Sequence, residues 1–310
     1  MTQEETDKKY MRRCIQLAGN GRQSAKPNPM VGAVLVAGGR IIGEGYHVRC
    51  GEGHAEVNCF ASVSTEDEAL LSRSTLYVSL EPCSHFGRTP PCADLIIRKG
   101  VPRVVVGCID PFAKVQGRGI RKLQEAGAEV VVGVLEDECR ELNRRFITFN
   151  TALRPYILLK WAQTADGFLD DHFRPMQIST AFTRMLTHKL RAENDAILVG
   201  RVTAERDRPW LDVREWSGRN PRRLVLSSAT SIDKILDECY QEGLQSLIVE
   251  GGGKTLESFM ERDLWDEIRV ETGTIAAGAG TRAPRLPGNL RVVRVENYDG
   301  NEIITYERKS

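Results

Sequence analysis

The feature of this 310-residue sequence that most limits how it can fold is an ordered set of metal-compatible side chains. It runs His54-Ala55-Glu56, then Glu81-Pro82-Cys83, then Pro91-Cys92. A hydrolytic zinc centre needs three protein ligands and one open position, where a bound water loses its proton near neutral pH. The segments carrying the three candidates fall at expected helix starts that follow a strand or a loop, where N-terminal amides favour a thiolate. The alternative for these residues is a pair of buried core thiols and a helix-capping His54. A lone His with two scattered Cys would favour that alternative, whereas His-x-Glu upstream and Pro-Cys on both later segments favour the metal site. A structural zinc would need a fourth protein ligand, for which Cys50 or Cys59 is the candidate.

Composition narrows the setting. Eight cysteines, seven of them in the first half, are too sparse for a disulfide scaffold in a chain of this size. Lys and Arg total 43 against 42 for Asp and Glu, so no global positive field exists to hold a nucleic-acid backbone. The opening MTQEETDKKYMRRC lacks the apolar core of a signal peptide, and no later stretch reaches the roughly 18 apolar residues of a membrane span. A cytoplasmic location is the expectation. At about 150 residues per domain the length predicts two domains.

Apolar periodicity predicts a helix over residues 4–20, ended by Gly19-Asn20-Gly21. Strand-like runs at 31–36, 41–48, 75–80, 103–106 and 129–133 alternate with helical stretches near 54–63, 92–99, 117–126 and 136–149. The first two strands read as a hairpin turning at Gly38-Gly39 and the rest as βαβ units, giving a three-layer α/β/α domain over 1–150. Arg154-Pro155 interrupts the pattern. A second α/β sheet follows over 151–310, with strands at 156–161, 196–199, 223–226, 246–249, 267–271 and two near the end, and helices at 180–193, 231–242 and 254–262.

Zinc deaminases use a glutamate that is not a ligand to carry the proton, in the order His-x-Glu, then Pro-Cys and a second Cys. Glu56 stands in that place. Nucleoside and nucleic-acid deaminases usually read Pro-Cys-x-x-Cys, whereas Cys83 and Cys92 enclose eight residues, Ser-His-Phe-Gly-Arg-Thr-Pro-Pro. The insertion brings His85 and Arg88 toward the pocket mouth, and an arginine suits a phosphate. With Asn28-Pro-Met-Val-Gly32 and Asp110-Pro-Phe-Ala-Lys-Val-Gln-Gly-Arg-Gly119, these strings resemble the deaminase half of the bifunctional riboflavin-biosynthesis deaminase/reductase family, across nearly all of residues 5–150. The resemblance implies a cytidine-deaminase-like domain with zinc on His54, Cys83 and Cys92, and with Glu56 as proton shuttle. It implies that Asn28, His47, His85 and Arg88 hold the base and phosphate of a diaminopyrimidinone ribosylamine 5'-phosphate, whose ring 2-amino group is replaced by oxygen.

Alone, the second half says less. Glu250-Gly-Gly-Gly-Lys-Thr255 is a glycine loop between a strand and a helix, where bare amides cradle a phosphate. It is not a P-loop, because Ile248 stands where Gly is needed, and Gly278-Ala-Gly280 lacks the helix of a dinucleotide fingerprint because Pro284 interrupts it. Lys160-Trp-Ala-Gln-Thr-Ala-Asp-Gly-Phe168, Gln177-Ile-Ser-Thr180, the run from Val199 to Arg214 and Val249-Glu-Gly-Gly-Gly-Lys254 follow the order of the same family's reductase half. That resemblance implies a dihydrofolate-reductase-like fold in which NADPH delivers hydride to the ribose C1'. It implies Lys160 and Glu250 beside the reacting ribose, and Arg191, Leu211 and Arg214 on the substrate. Gln177, Thr203, Asp207, Ser228, Gly252 and Gly253 would lie on the cofactor side. Lys160 as a surface lysine at a strand end and Glu250 as a helix-capping acid remain the alternatives.

This half departs from its relatives. Gln177 replaces a Trp near the nicotinamide, Pro175 replaces a Ser, and Asp212 stands for Thr. The join at 228–235 is shortened, since Ala229 to Lys234 leads almost directly into the next helix. Losing a strand exposes backbone groups on its neighbours and removes part of a cofactor groove.

The expected function is zinc-dependent deamination of the phosphorylated pyrimidine, followed by NADPH-dependent reduction of its ribosyl group, in a homo-oligomer binding neither nucleic acid nor membrane. The alternative is deamination alone, with a silent reductase-like half. A nucleic-acid base deaminase is disfavoured, because base capture needs stacking platforms and a basic channel.

Overall fold

In the computed structural model, which describes residues 2–86, 90–111 and 116–309, the alternating pattern becomes one five-stranded and one seven-stranded sheet. The chain divides into two compact units, Met1–Ala152 and Leu153–Ser310.

Helix α1 (Gln3–Ala18) opens on a capping box in which the Glu5 amide donates to the Thr2 hydroxyl and the Thr2 amide to the Glu5 carboxylate. Strands β1 (Gly32–Ala37) and β2 (Arg40–Tyr46) pair through the Gly38-Gly39 turn, where φ values of 57° and 77° favour residues without a Cβ. Next come α2 (Ala55–Ala61), a 3-10 stretch over Thr65–Arg73, β3 (Thr75–Leu80), α3 (Cys92–Arg98), β4 (Arg103–Cys108), α4 (Arg118–Glu125) and β5 (Glu129–Val132). The strand order is β2-β1-β3-β4-β5, with β3, β4 and β5 parallel and β1 antiparallel to β3. Successive residues Leu76 and Tyr77 enter different core clusters, as a pleated strand buried on both faces requires. Gly45 lets α2 lie directly on β2, because a Cβ there would stand 2.3 Å from the Cys59 amide nitrogen. That close approach sets the start of α2, and with it His54 and Glu56.

One expected helix is two. The stretch at 136–149 divides into α5 (Glu136–Leu142) and α6 (Arg144–Ala152). The break is at buried Asn143, whose side chain accepts from the Met30 amide and donates to the Met30 carbonyl, both at 2.8 Å. A side-chain amide matched to one backbone amide draws the chain off the axis of α5. It also brings α6 to the segment that carries Asn28.

The second unit comprises β6 (Tyr156–Gln163), α7 (Ala181–Glu193), β7 (Ala196–Gly200), α8 (Arg201–Arg206), β8 (Arg222–Leu226), α9 (Ile232–Gln241), β9 (Ser246–Val249), α10 (Gly253–Glu261), β10 (Glu267–Thr272), β11 (Leu290–Tyr298) and β12 (Asn301–Arg308). Their order is β11-β12-β10-β6-β9-β7-β8. The five strands from β10 to β8 run parallel, and the β11/β12 hairpin adds to β10 antiparallel. The short helix α8 is an element that periodicity did not reveal. Strand β8 closes the sheet edge, and after a bridge between Ser227 and Thr230 the Ser231 hydroxyl caps α9 by accepting from the Lys234 amide.

Candidate functional site

Three secondary-structure boundaries carry the candidate ligands. His54 caps α2 from an extended backbone, Cys83 follows β3, and Cys92 is the first residue of α3. His54 Nδ1 lies 3.5 Å from Cys83 Sγ and 3.3 Å from Cys92 Sγ, and the three ligand atoms fall within 4.8 Å of one another. Tetrahedral zinc with bonds of about 2.0 Å to nitrogen and 2.3 Å to sulfur separates such ligands by about 3.6 Å, so the donor set fits the ion. Cys50 and Cys59 do not join the group, and among the described residues the cluster has three members, the number that leaves a position open.

The thiols are electrically distinct. A hydrogen bond from the Cys92 thiol pulls Cys83 well below the ordinary thiol range against the effect of burial, with His54 and the Cys92 amide adding to it. Cys92 is pushed up by the same hydrogen bond and by burial. Glu56, 3% exposed, lies two residues beyond His54 in the first turn of α2. Burial, followed by the charge on Cys83, raises its carboxyl to about 7. A carboxyl poised there can both take and give a proton near neutral pH.

A cavity of about 270 Å³ opens beside this cluster, walled in part by Asn28, His47, His85 and Glu56. His47 is buried, and burial lowers its pKa. Its Nδ1 meets the Gly53 carbonyl at 3.1 Å and its Nε2 meets the Asn28 side-chain amide at 3.1 Å. Neutral His47 donating from Nδ1 and accepting at Nε2 satisfies both contacts, which turns the Asn28 carbonyl oxygen toward other donors. Arg88 lies outside the described residues. Four further wall residues, Glu81, Asp110, Phe146 and Asn150, were not among the candidates. The last two arrive on α6, and the break at Asn143 that brings them has no signature in local periodicity.

The second unit holds a separate cavity of about 330 Å³ that brings together Lys160, Gln177, Arg191 and Arg214, with His188 also in its wall. Lys160 is 9% exposed and is no surface lysine; burial depresses its pKa, while Glu250 and Glu271 oppose the shift. Glu250 caps no helix. Its carboxylate receives Arg191 in two hydrogen bonds of 3.1 and 2.7 Å, and Arg191 holds it below the ordinary carboxylate range against the cost of burial.

Leu211 is not in that cavity wall; its side chain is buried in a core cluster with Leu158, Ile197, Val199 and Ile248, and its backbone takes a φ of 50°. The residues expected on the cofactor side, Gln177 apart, also lie off this cavity wall. Thr203 and Gly252 are neighbours, since a Cβ on Gly252 would stand 3.5 Å from the Thr203 hydroxyl. Gly252 caps α10 without a side-chain bond, followed by Gly253, and such a helix start suits an anionic phosphate. Asp207 is held by Arg206 at 2.6 and 2.9 Å, and Ser228 sits in the turn after β8.

Comparison with known proteins matches both halves. Residues 4–108 match the cytidine and deoxycytidylate deaminase zinc-binding region. The RibD C-terminal domain matches in two pieces, residues 155–234 and 229–303. The riboflavin biosynthesis protein RibD of Aquifex aeolicus is 37% identical over 356 aligned positions, covering 98% of this chain and 99% of that protein. This alignment is 46 positions longer than the chain itself. RibD of Escherichia coli strain K12 is 39% identical, covering 76% of this chain and 67% of that protein. The crystal structure of a Thermotoga maritima diaminohydroxyphosphoribosylaminopyrimidine deaminase/5-amino-6-(5-phosphoribosylamino)uracil reductase superposes with a TM-score of 0.92 at 33% identity, over 99% of this chain and 100% of that one.

Proposed function

The chain belongs to the RibD family of riboflavin-biosynthesis proteins, and from that premise we propose that its first unit deaminates the diaminopyrimidinone ribosylamine 5'-phosphate and its second reduces the ribosyl group of the product. The observation that carries this reading is the His54, Cys83 and Cys92 cluster with buried Glu56 at the wall of one cavity. Zinc bound there supplies the Lewis acidity that activates water at neutral pH. Glu56 then takes the proton from the attacking water at its carboxylate and passes it to the ring nitrogen and to the departing amine, which leaves as ammonia. Asn28, with its amide nitrogen occupied by His47, presents its carbonyl oxygen to ring N–H groups, and His85 in the cavity wall binds the phosphate, the role the family resemblance also implies for Arg88.

In the second unit the residues fit part of a nicotinamide dinucleotide. NADPH would supply the hydride when bound, and Gly252, Gly253 and Thr203 would hold its phosphates. Lys160, whose amine makes no hydrogen bond among the described residues, donates to the sugar oxygens as C1' is reduced. Arg214 and Arg191 bind the anionic end of the substrate. The protein acts on a small phosphorylated pyrimidine as a zinc- and NADPH-dependent enzyme and works as a homo-oligomer in the cytoplasm.

A second reading, deamination with a reductase half that transfers hydride poorly, is favoured by one specific feature. The match to the RibD C-terminal domain divides at 229–234, where Ser227 and Thr230 close a turn that leads straight into α9. The two readings separate in one assay of zinc-loaded full chain supplied with substrate and NADPH. One ammonia released and one NADPH oxidised per substrate supports both activities. Ammonia without NADPH oxidation supports the second reading, and neither product overturns both.

A further inference from the structure

The Glu81 carboxylate is 4% exposed and accepts three backbone amides: Asp110 at 3.3 Å, Gly117 at 2.9 Å and Gly119 at 3.0 Å. Among the described residues no cation pairs with it, and the three amides supply the hydrogen bonds that a buried carboxylate needs. The three donors come from two places. Asp110 is in the cavity wall, just past the end of β4, whereas Gly117 and Gly119 begin α4, whose cap residue Gly117 has no side chain to serve the free amides. Glu81 therefore caps α4 from another element and ties that helix start to the pocket wall.

A second contact fixes the same junction. A Cβ on Gly119 would stand 2.0 Å from the Pro82 carbonyl oxygen, so α4 begins against the backbone that links Glu81 to the ligand Cys83. The end of β3 thus holds a metal ligand and the far wall of the pocket in one short piece of chain.

We infer that Glu81 is a positioning residue for deamination, anchoring Asp110 of the pocket wall to the start of α4 without touching the metal. This rests on the deaminase reading above. Glu81→Gln keeps the shape but turns an amide group toward at least one of the three backbone N–H donors. Gly119→Ala leaves Glu81 intact and forces the junction open by collision with Pro82. Both variants should retain the zinc content of the wild type.

The test measures, on the full zinc-loaded chain, zinc content, ammonia-release kinetics and amide exchange at Gly117 and Gly119. In both variants KM should rise at least about tenfold with kcat within roughly threefold, the mark of a pocket wall that binds ground state and transition state alike. The two amides should exchange at least about tenfold faster in Glu81→Gln while the β1–β5 amides keep their protection. An unchanged KM in either folded variant, or zinc lost in step with activity, overturns the inference. If Glu81→Gln does not fold, Gly119→Ala decides alone by its KM. If wild type releases no ammonia, the deaminase reading fails instead, and the exchange comparison decides whether Glu81 holds the junction.

Discussion

Arg191 and Glu250 form a two-pronged ion pair inside the second unit, with Nε and Nη2 of the guanidinium bonded to the two carboxylate oxygens, and with side chains only 13% and 11% exposed. The resemblance implies Glu250 beside the reacting ribose and Arg191 on the substrate, and says nothing of a contact between them. Paired, they leave Lys160 as the cation of that cavity without a hydrogen-bonded partner among the described residues, and place Glu250 as the group that orients Arg191.

Removing one partner leaves a buried charge. Glu250→Ala should destabilise the chain by about 3 kcal/mol in urea unfolding, since breaking a buried pair costs more than the pair contributes. Removing both, as Arg191→Met with Glu250→Leu, should recover more than half of that loss. A double variant as unstable as the sum of the singles would show that the two do not interact.

Asp7 gives a pH dependence. Burial by itself would raise its carboxyl, but hydrogen bonds from Arg103, Tyr77 and Gln3 hold it below the ordinary value. A folded-state value below the unfolded one, about 3.9, means that the stabilisation is complete above that pH and disappears as pH falls through the folded value. Asp7→Asn should therefore cost about 2 kcal/mol at pH 7 and progressively less below about pH 4, measured by denaturant unfolding across that range. A pH-independent difference would contradict the assignment.

Asn143 is the hinge between α5 and α6, holding the backbone of Met30 from both sides. Asn143→Ala leaves two part-buried backbone groups of Met30 without their side-chain partner, which should cost about 1–2 kcal/mol. It should also weaken substrate binding, because Phe146 and Asn150 reach the cavity only through this break. Equal KM values for variant and wild type would detach α6 from the site.

How much of this was legible follows the range of the signal. The His-x-Glu and two Pro-Cys segments specify the metal cluster because ligand chemistry tolerates few substitutes, and the strands of both sheets follow from apolar runs bounded by turns. What stayed hidden depends on contacts distant in sequence. Asn143 reads as one more helical residue until Met30 is placed beside it, and Glu81 reads as part of a motif until Gly117 and Gly119 reach its carboxylate. The burial of Leu211 was hidden for a different reason: its φ is 50°, and residue type does not reveal a left-handed turn at a leucine.

The central claim is that Glu56 moves the proton at a metal site which it does not itself hold. Glu56→Gln on the full chain, assayed for bound zinc and for ammonia release, tests it directly. The account predicts zinc content equal to wild type with ammonia release reduced at least about 100-fold, the scale of a lost general acid and base. Ammonia release within about tenfold of wild type, with zinc still bound, would contradict it.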